Sequence, residues 1–244
     1  MIKPEIRQIN TDTIYRYLGL QSGSPLLREE AGDLRLADQI ERCRQTVLEA
    51  SKIRCVYRIL PISLIGLDSA GPDSAGHDPS KSPEICLHGR DIARLLEGCD
   101  EAVLMALTLG VEVEKVLMRT EVTDMSDALV MDVCASSAVE AAADDFELQL
   151  SGELLPESRF LTNRFSPGYG DFELSHQRPI LELLNASRAA GITLTPTSLM
   201  VPRKSVTAVM GICRRSREKV LGGCARCPLM SKCSYRSHNL RCFI

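Results

Sequence analysis

The chain has 244 residues, of which 44% are hydrophobic and 25% charged, with a formal net charge of −3. At roughly 150 residues per domain this is one large domain with room for an appendage, long enough to bury a core without disulfides, and the composition excludes a disordered or collagen-like chain. No run reaches the ~18 apolar residues of a membrane helix, and Met1-Ile2-Lys3-Pro4-Glu5 opens without an apolar signal region, so a cytoplasmic protein with no membrane partner is expected.

The first predicted element is a helix from about Leu34 to Ser51. Leu36, Ile40, Cys43 and Val47 recur there at three- and four-residue spacing and build one apolar face, with Asp33 as cap. Cys55 to Leu60 reads as a strand. Gly66 to Pro83, with the near-duplicated Asp68-Ser69-Ala70-Gly71 and Asp73-Ser74-Ala75-Gly76, reads as a surface loop. Asp91 is placed to cap a helix through Leu96, and Ala102 to Leu109 is a continuous apolar run expected to be a buried strand. Gly110 and a helix over Glu112 to Arg119 follow. A strand ending in Thr108-Leu109-Gly110 at a helix start can offer free backbone N–H groups to an anion, although a plain strand-to-helix turn has the same signature.

A long helix is predicted over Met125 to Leu150. Its centre collects Ala135, Ser136, Ser137, Ala138, Ala141, Ala142 and Ala143, small side chains that let another backbone come close; tight packing explains them better than a ligand does. Glu173 to Ala189 is predicted as one helix, and Thr193 to Met200 and Ser205 to Ile212 as strands. In the last of these Val206, Ala208, Met210 and Ile212 alternate with Ser205, Thr207 and Val209, the pattern of a sheet covered mostly on one face. Strands and helices in this order, with no regular βα repeat, predict an α+β fold.

Five of the ten cysteines, Cys43, Cys55, Cys86, Cys99 and Cys134, are scattered through apolar stretches as small buried hydrophobes. The other five, Cys213, Cys224, Cys227, Cys233 and Cys242, fall in the last 32 residues. In a cytosolic chain such crowding points to metal or thiol chemistry. Cys224 and Cys227 form a Cys-x-x-Cys that places two thiolates on one metal, Cys233 lies within reach, and Cys213 or Cys242 could supply a fourth ligand. An iron–sulfur cluster, a structural zinc with His238 as another available ligand, and a metal-free thiol tail all fit this pattern. Pro228 and the surrounding cations favour the anionic cluster. From Val201 to Ile244 ten basic residues stand against Glu218 alone, a net of +9 that leaves −12 on the first 200 residues. A basic tail on an acidic body suits an acidic partner, nucleic acid or an anionic cofactor; 4% aromatic residues and no tryptophan argue against nucleic acid.

Between the long helix and the next lies Arg164-Phe165-Ser166-Pro167-Gly168-Tyr169-Gly170-Asp171. Pro-Gly bends the backbone sharply, Arg164 offers a planar fork of donors suited to a carboxylate, and Tyr169, with a glycine on each side, can project its ring and hydroxyl out of the loop. These features suit a small zwitterionic or nucleoside-like ligand. Together with Leu181-Glu182-Leu183-Leu184, Gly191 to Thr195 and Leu199 to Thr207, this stretch resembles the S-adenosylmethionine-binding activation domain of cobalamin-dependent methionine synthase. Tyr15 to Gly19, the Thr108-Leu109-Gly110 turn and Ser136 to Glu140 are similar to stand-alone relatives of that domain, so the resemblance spans residues 1–212, with 213–244 a separate basic, cysteine-rich tail.

The resemblance implies a twisted antiparallel sheet packed with helices and a role in reactivation. Cob(II)alamin on a cobalamin-bearing methionine synthase or other corrinoid protein would be reduced by an electron donor and methylated from S-adenosylmethionine. Arg164 would hold the ligand's carboxylate, the backbone of Ser166, Pro167 and Gly168 would line the site, and Tyr169 would meet the corrin as the catalytic-face residue. The chain lacks an Asp-x-His-x-x-Gly element for a lower cobalt ligand and is too short for the other synthase modules, so the cobalamin would arrive on another polypeptide. Whether the chain is itself an enzyme is left open by these residues. The competing class is a metal-stabilised binding module for a protein partner or nucleic acid, without catalysis; a third reading is a sensor of S-adenosylmethionine.

Overall fold

The computed structural model describes residues 2–9, 11–18, 30–68 and 83–216. Helix α1 (Thr11–Tyr17) and α2 (Glu30–Ala50) lead into strand β1 (Arg54–Pro61), a 3-10 turn at Ile62–Leu64 and β2 (Ile65–Asp68). Then come β3 (Ile85–His88), α3 (Arg90–Leu96), β4 (Glu101–Thr108), α4 (Val111–Thr123), α5 (Met125–Leu154) and β5 (Phe160–Leu161). The described chain closes with α6 (Gln177–Leu183), α7 (Ala186–Ala190), β6 (Thr193–Leu194), β7 (Met200–Val201) and β8 (Ser205–Cys213). The four-stranded sheet has the order β1-β4-β8-β5. In it β5 runs antiparallel to β8, with Phe160 opposite Cys213 and Leu161 opposite Ile212. A small parallel pair joins β2 to β3 and an antiparallel pair joins β6 to β7. The expected α+β fold is what forms.

The chain divides into two compact units. The first comprises the described residues of Met1–Val56, Met105–Glu153 and Leu184–Val206, the second those of Tyr57–Leu104, Leu154–Leu183 and Thr207–Ile244. Strands β1, β4 and β8 each divide their residues between the two.

In the first unit, the apolar face predicted for α2 is buried at Ile40, Cys43 and Val47, and α2 packs against α4. The small-residue stripe of α5 is closely packed: Ala135, Ala138, Ala142 and Ala143 have no exposed surface, and Phe146 is sealed one turn on. At ~25 cal/mol per Å2, each sealed aromatic of this kind contributes about 2–3 kcal/mol. The N-terminal segment lies along α5, where the Asp145 carboxylate accepts the Glu5 N–H at 2.9 Å. In the second unit α3 packs on β2 and β3, and α6 on β3, around sealed Leu87, Ile92, Leu96 and Phe172.

Five expectations are corrected. The helix expected over Glu173 to Ala189 is a 3-10 turn at Leu174–His176 followed by α6 and α7, because Asn185 takes a left-handed φ of 49° that no continuous helix contains. The strand expected over Thr193 to Met200 is instead two short strands, β6 and β7, with Ser198 between them at φ 62°. In β8 every residue from Thr207 to Cys213 is buried, so both faces are covered rather than one. Asp91 does not cap α3: the cap position is Gly89, which has no side chain to offer. The expected loop at Gly66 to Pro83 begins instead with β2, and residues 69–82 of it lie outside the described residues.

Candidate functional site

The candidate ligand loop, Arg164 to Asp171, belongs to the second unit. It leaves the sheet at Phe165, whose N–H and C=O exchange hydrogen bonds of 2.9 Å with Val209. Pro167 and Gly168 then occupy the centre of a tight turn closed by the Tyr169 N–H donating to the Ser166 carbonyl at 3.2 Å. Gly168 has φ 98°, the positive value that the third position of a Pro-Gly type II turn requires. Two further bonds fold the loop back on itself, Gly168 N–H to the Phe172 carbonyl at 2.7 Å and Phe172 N–H to the Tyr169 carbonyl at 3.0 Å. The turn leaves Tyr169 46% exposed, while Arg164 and Ser166 are half-buried and Pro167 is buried. An arginine at the entry of a tight turn and an exposed tyrosine at its exit are residue types suited to a small ligand bearing both a carboxylate and a flat ring.

Beneath the turn lies an aromatic floor. Phe172 is fully buried, stacks on Phe165 with centroids 5.9 Å apart and an interplanar angle of 15°, and touches the His176 ring at 4.8 Å. His176 is buried. Its Nε2 accepts the His88 backbone N–H at 2.9 Å and its Nδ1 lies 3.0 Å from the Glu173 carbonyl, so the partners assign a neutral ring with the proton on Nδ1. Burial is the main cause holding its pKa below the ordinary 6.5, against the Glu173 carbonyl, which raises it. Neither histidine was singled out by sequence reasoning, since neither stands in a spacing that suggests a role.

Asp171 closes the loop. Its carboxylate accepts the N–H of Arg90 at 2.8 Å and of Asp91 at 3.0 Å, with Arg90 Nε 3.4 Å away. The Asp91 N–H is the main cause keeping the Asp171 carboxyl below its usual range. The contact is between residues 80 and 81 positions apart, which no local sequence signal could have revealed.

Of the elements that carry the sequence resemblance, the Thr108-Leu109-Gly110 turn falls in the first unit. Gly110 N–H donates to Thr108 Oγ1 at 3.1 Å, so that donor is not left for an anion. Gly110 has φ 91°, and a Cβ there would come within 2.9 Å of the Lys52 carbonyl oxygen, so the position needs glycine twice over. Lys204, 12% exposed, pairs with Asp132 at 2.8 Å and donates to Ser136 Oγ at 2.9 Å. Arg203 donates from its backbone N–H and Nε to the two oxygens of Glu114 at 2.8 and 2.6 Å. In the second unit Arg214 reaches Asp100 at 3.0 Å. These three cations of the basic C-terminal region are therefore spent on acids of the body.

Among the candidate metal ligands, only Cys213 lies within the described residues; it is buried at the end of β8 and joined to Cys99 in a disulfide. Cys224, Cys227, Cys233 and Cys242 lie outside them. Among the described residues no group of three or more His, Cys, Asp or Glu side chains could hold a metal ion. Burial pushes the thiol of Cys43 up to about 11 and those of Cys55 and Cys134 up to about 12, which keeps them protonated and unreactive at neutral pH, whereas Cys86, expected to be buried, is exposed. Among the described residues no helix is long and apolar enough to cross a membrane.

No curated protein matches this chain. Among solved structures, the chain is similar in fold to a crystal structure of the MetH reactivation domain bound to AdoHcy, at a TM-score of 0.59 and 17% identity, over 87% of this chain and 76% of that one. The family model for the activation domain of vitamin B12 dependent methionine synthase matches residues 77–226. That span holds α3 to β8 and the whole loop from Arg164 to Asp171, and the chain belongs to the vitamin B12 dependent methionine synthase activation domain family.

Proposed function

We propose that this protein binds S-adenosylmethionine at the Arg164–Tyr169 loop and supports reductive methylation of a cobalamin carried by a separate methionine synthase or corrinoid protein. The observation that carries this reading is the turn itself: a half-buried Arg164 entering a Pro-Gly bend that holds Tyr169 outward, within the matched family span. The AdoHcy in the structural relative supports the ligand class, since AdoHcy is what remains of S-adenosylmethionine after methyl transfer. The guanidinium of Arg164 would fix the ligand's carboxylate, the backbone of Ser166, Pro167 and Gly168 would line its edge, and Tyr169 would face the corrin.

The methyl group would pass from the sulfonium to cobalt(I), made by one-electron reduction of cobalt(II) by a separate electron donor. Reduction of cobalt(II) is uphill, and immediate methyl transfer drains its product, so a protein that holds the methyl donor ready makes the pair of steps effective. The residues of the chain bind and orient; none is required to move a proton. The tail of residues 213–244 is proposed as a separate module in which Cys224, Cys227, Cys233 and Cys242 hold an iron–sulfur cluster or zinc, with Cys213 available to it only when the link to Cys99 is reduced. A protein with this role works in the cytoplasm, beside its corrinoid partner.

Calorimetric titration of anaerobically purified protein with S-adenosylmethionine and AdoHcy tests the reading. Arg164→Ala removes charge-assisted bonds of about 1.5–3 kcal/mol, so affinity falls by roughly 10- to 100-fold with the far-ultraviolet circular dichroism unchanged. Wild-type affinity in that variant would overturn the assignment of Arg164, and absence of binding to the wild type would overturn the site.

A further inference from the structure

Helix α3 begins at Arg90 after Gly89, which provides no capping side chain. Its first amides are nonetheless satisfied, because Asp171 brings a carboxylate to the N–H groups of Arg90 and Asp91 from the far end of the ligand loop. Such a carboxylate is ordinarily supplied by the cap residue itself, and its delivery from a distant loop ties the loop to the helix.

The approach is built for closeness on both sides. Gly89 has φ 137°, and a Cβ there would stand 3.0 Å from both the carbonyl oxygen and Oδ1 of Asp171. Gly170, with φ 56°, would drive a Cβ into the Asp91 carboxylate. Glycine at 89 thus lets the Asp171 backbone come close, and glycine at 170 leaves room for the Asp91 carboxylate. The five residues Ser166 to Gly170 are thus fixed at one end by the Phe165–Val209 bridge and at the other by Asp171.

We propose that Asp171 is a positioning residue for the ligand loop: clipping the loop to the first turn of α3 sets the backbone of Ser166 to Gly168 and the outward placement of Tyr169. This rests on the reading of that loop as the S-adenosylmethionine site. Asp171 does not touch the ligand in this account; it acts through the turn. Loss of the carboxylate leaves the loop held at Phe165 and at the buried Phe172 but unclips it from α3, so the turn between those anchors samples arrangements that do not bind. Asp171→Asn keeps one carbonyl oxygen as acceptor for one of the two N–H groups and is intermediate.

The test uses the full-length protein with two readouts, AdoHcy affinity by calorimetry and amide hydrogen exchange at Arg90, Asp91, Gly168 and Phe172. Asp171→Ala is expected to weaken AdoHcy at least tenfold and to speed exchange at those amides at least tenfold, with Asp171→Asn between it and the wild type in both. Gly170→Ala, which keeps the Asp171 carboxylate but sets a methyl group against the Asp91 carboxylate at a φ of 56°, is expected to reproduce the effect and serves if Asp171→Ala does not fold. AdoHcy affinity within twofold of wild type in Asp171→Ala or Gly170→Ala would overturn the proposal, as would unchanged exchange. If the wild type binds no AdoHcy, the ligand reading fails, and exchange alone then decides: unchanged protection overturns the clip, lost protection sustains it.

Discussion

Replacing Asp145 by alanine removes the anchor of the N-terminal segment. The Asp145 side chain is 3% exposed. It accepts the Glu5 N–H at 2.9 Å and Gln149 Nε2 at 2.6 Å, while Arg7 Nε lies 2.5 Å from its other oxygen. With the Arg7 side chain 62% exposed, that ion pair is worth less than about 1 kcal/mol. The two bonds to the buried carboxylate carry about 1.5–3 kcal/mol each, part of which offsets its desolvation. Asp145→Ala is expected to cost about 3 kcal/mol, a fall of roughly 6–12 °C in Tm for a chain of this size. Asp145→Asn keeps an acceptor for Glu5 and is expected to cost about half. Burial pushes the Asp145 carboxyl up, but the Glu5, Gln149 and Arg7 interactions outweigh it and leave it below the ordinary 3.8. A carboxyl depressed in the folded state contributes stability present above pH ~4 and lost as pH falls toward the folded value. Urea unfolding of the three proteins at pH 7 and again at pH 3 is the assay. A cost below about 0.5 kcal/mol at pH 7, or an advantage over Asp145→Asn that grows on acidification, would refute the reasoning.

Gly168→Ala has room for its methyl group, since only Leu174 Cδ1 lies near at 3.4 Å, so its cost is the backbone strain of φ 98°, about 1–2 kcal/mol, measurable by chemical unfolding; a neutral result would show that the turn is not held in that conformation. For His176, burial keeps the folded pKa below 6.5, so its contribution is complete above pH ~6.5 and fades as pH falls below it. The stability gap between wild type and His176→Gln is expected to be constant above about pH 7 and to narrow toward pH 5, and a gap that stays level or widens would sink the neutral-ring assignment.

What the sequence announced was local and periodic. The apolar spacing of Leu36, Ile40, Cys43 and Val47 suffices for α2, and the unbroken apolar run suffices for β4, because each reports burial of a single element. The alternation in β8 misled because serine and threonine at 205 and 207 read as an exposed face, whereas Thr207 is 1% exposed; covering of the second face depends on distant chain. Asn185 broke the helix through a conformation that periodicity does not register. In the candidate loop the Pro-Gly bend between Arg164 and Tyr169 was legible because turn chemistry is local, and Asp171 was visible only as the last letter of the loop. Its partners are 80 and 81 residues away, and α3 gives no sign that its cap is elsewhere, beyond a glycine where a serine or aspartate would ordinarily stand.

The same separation governs the order in which the protein can assemble. Helix α3 has seven residues, below the ~12–15 at which a helix persists alone in water. On a ribosome adding ~5–20 residues per second, roughly 4–16 s pass between synthesis of Arg90 and of Asp171. Through that interval the nascent α3 has open amides and no stable form, and it takes its structure when the loop arrives. The Pro-Gly turn and the helix that its loop caps are thus born together, so a chain truncated before residue 171 leaves both unmade, whatever the rest of it achieves.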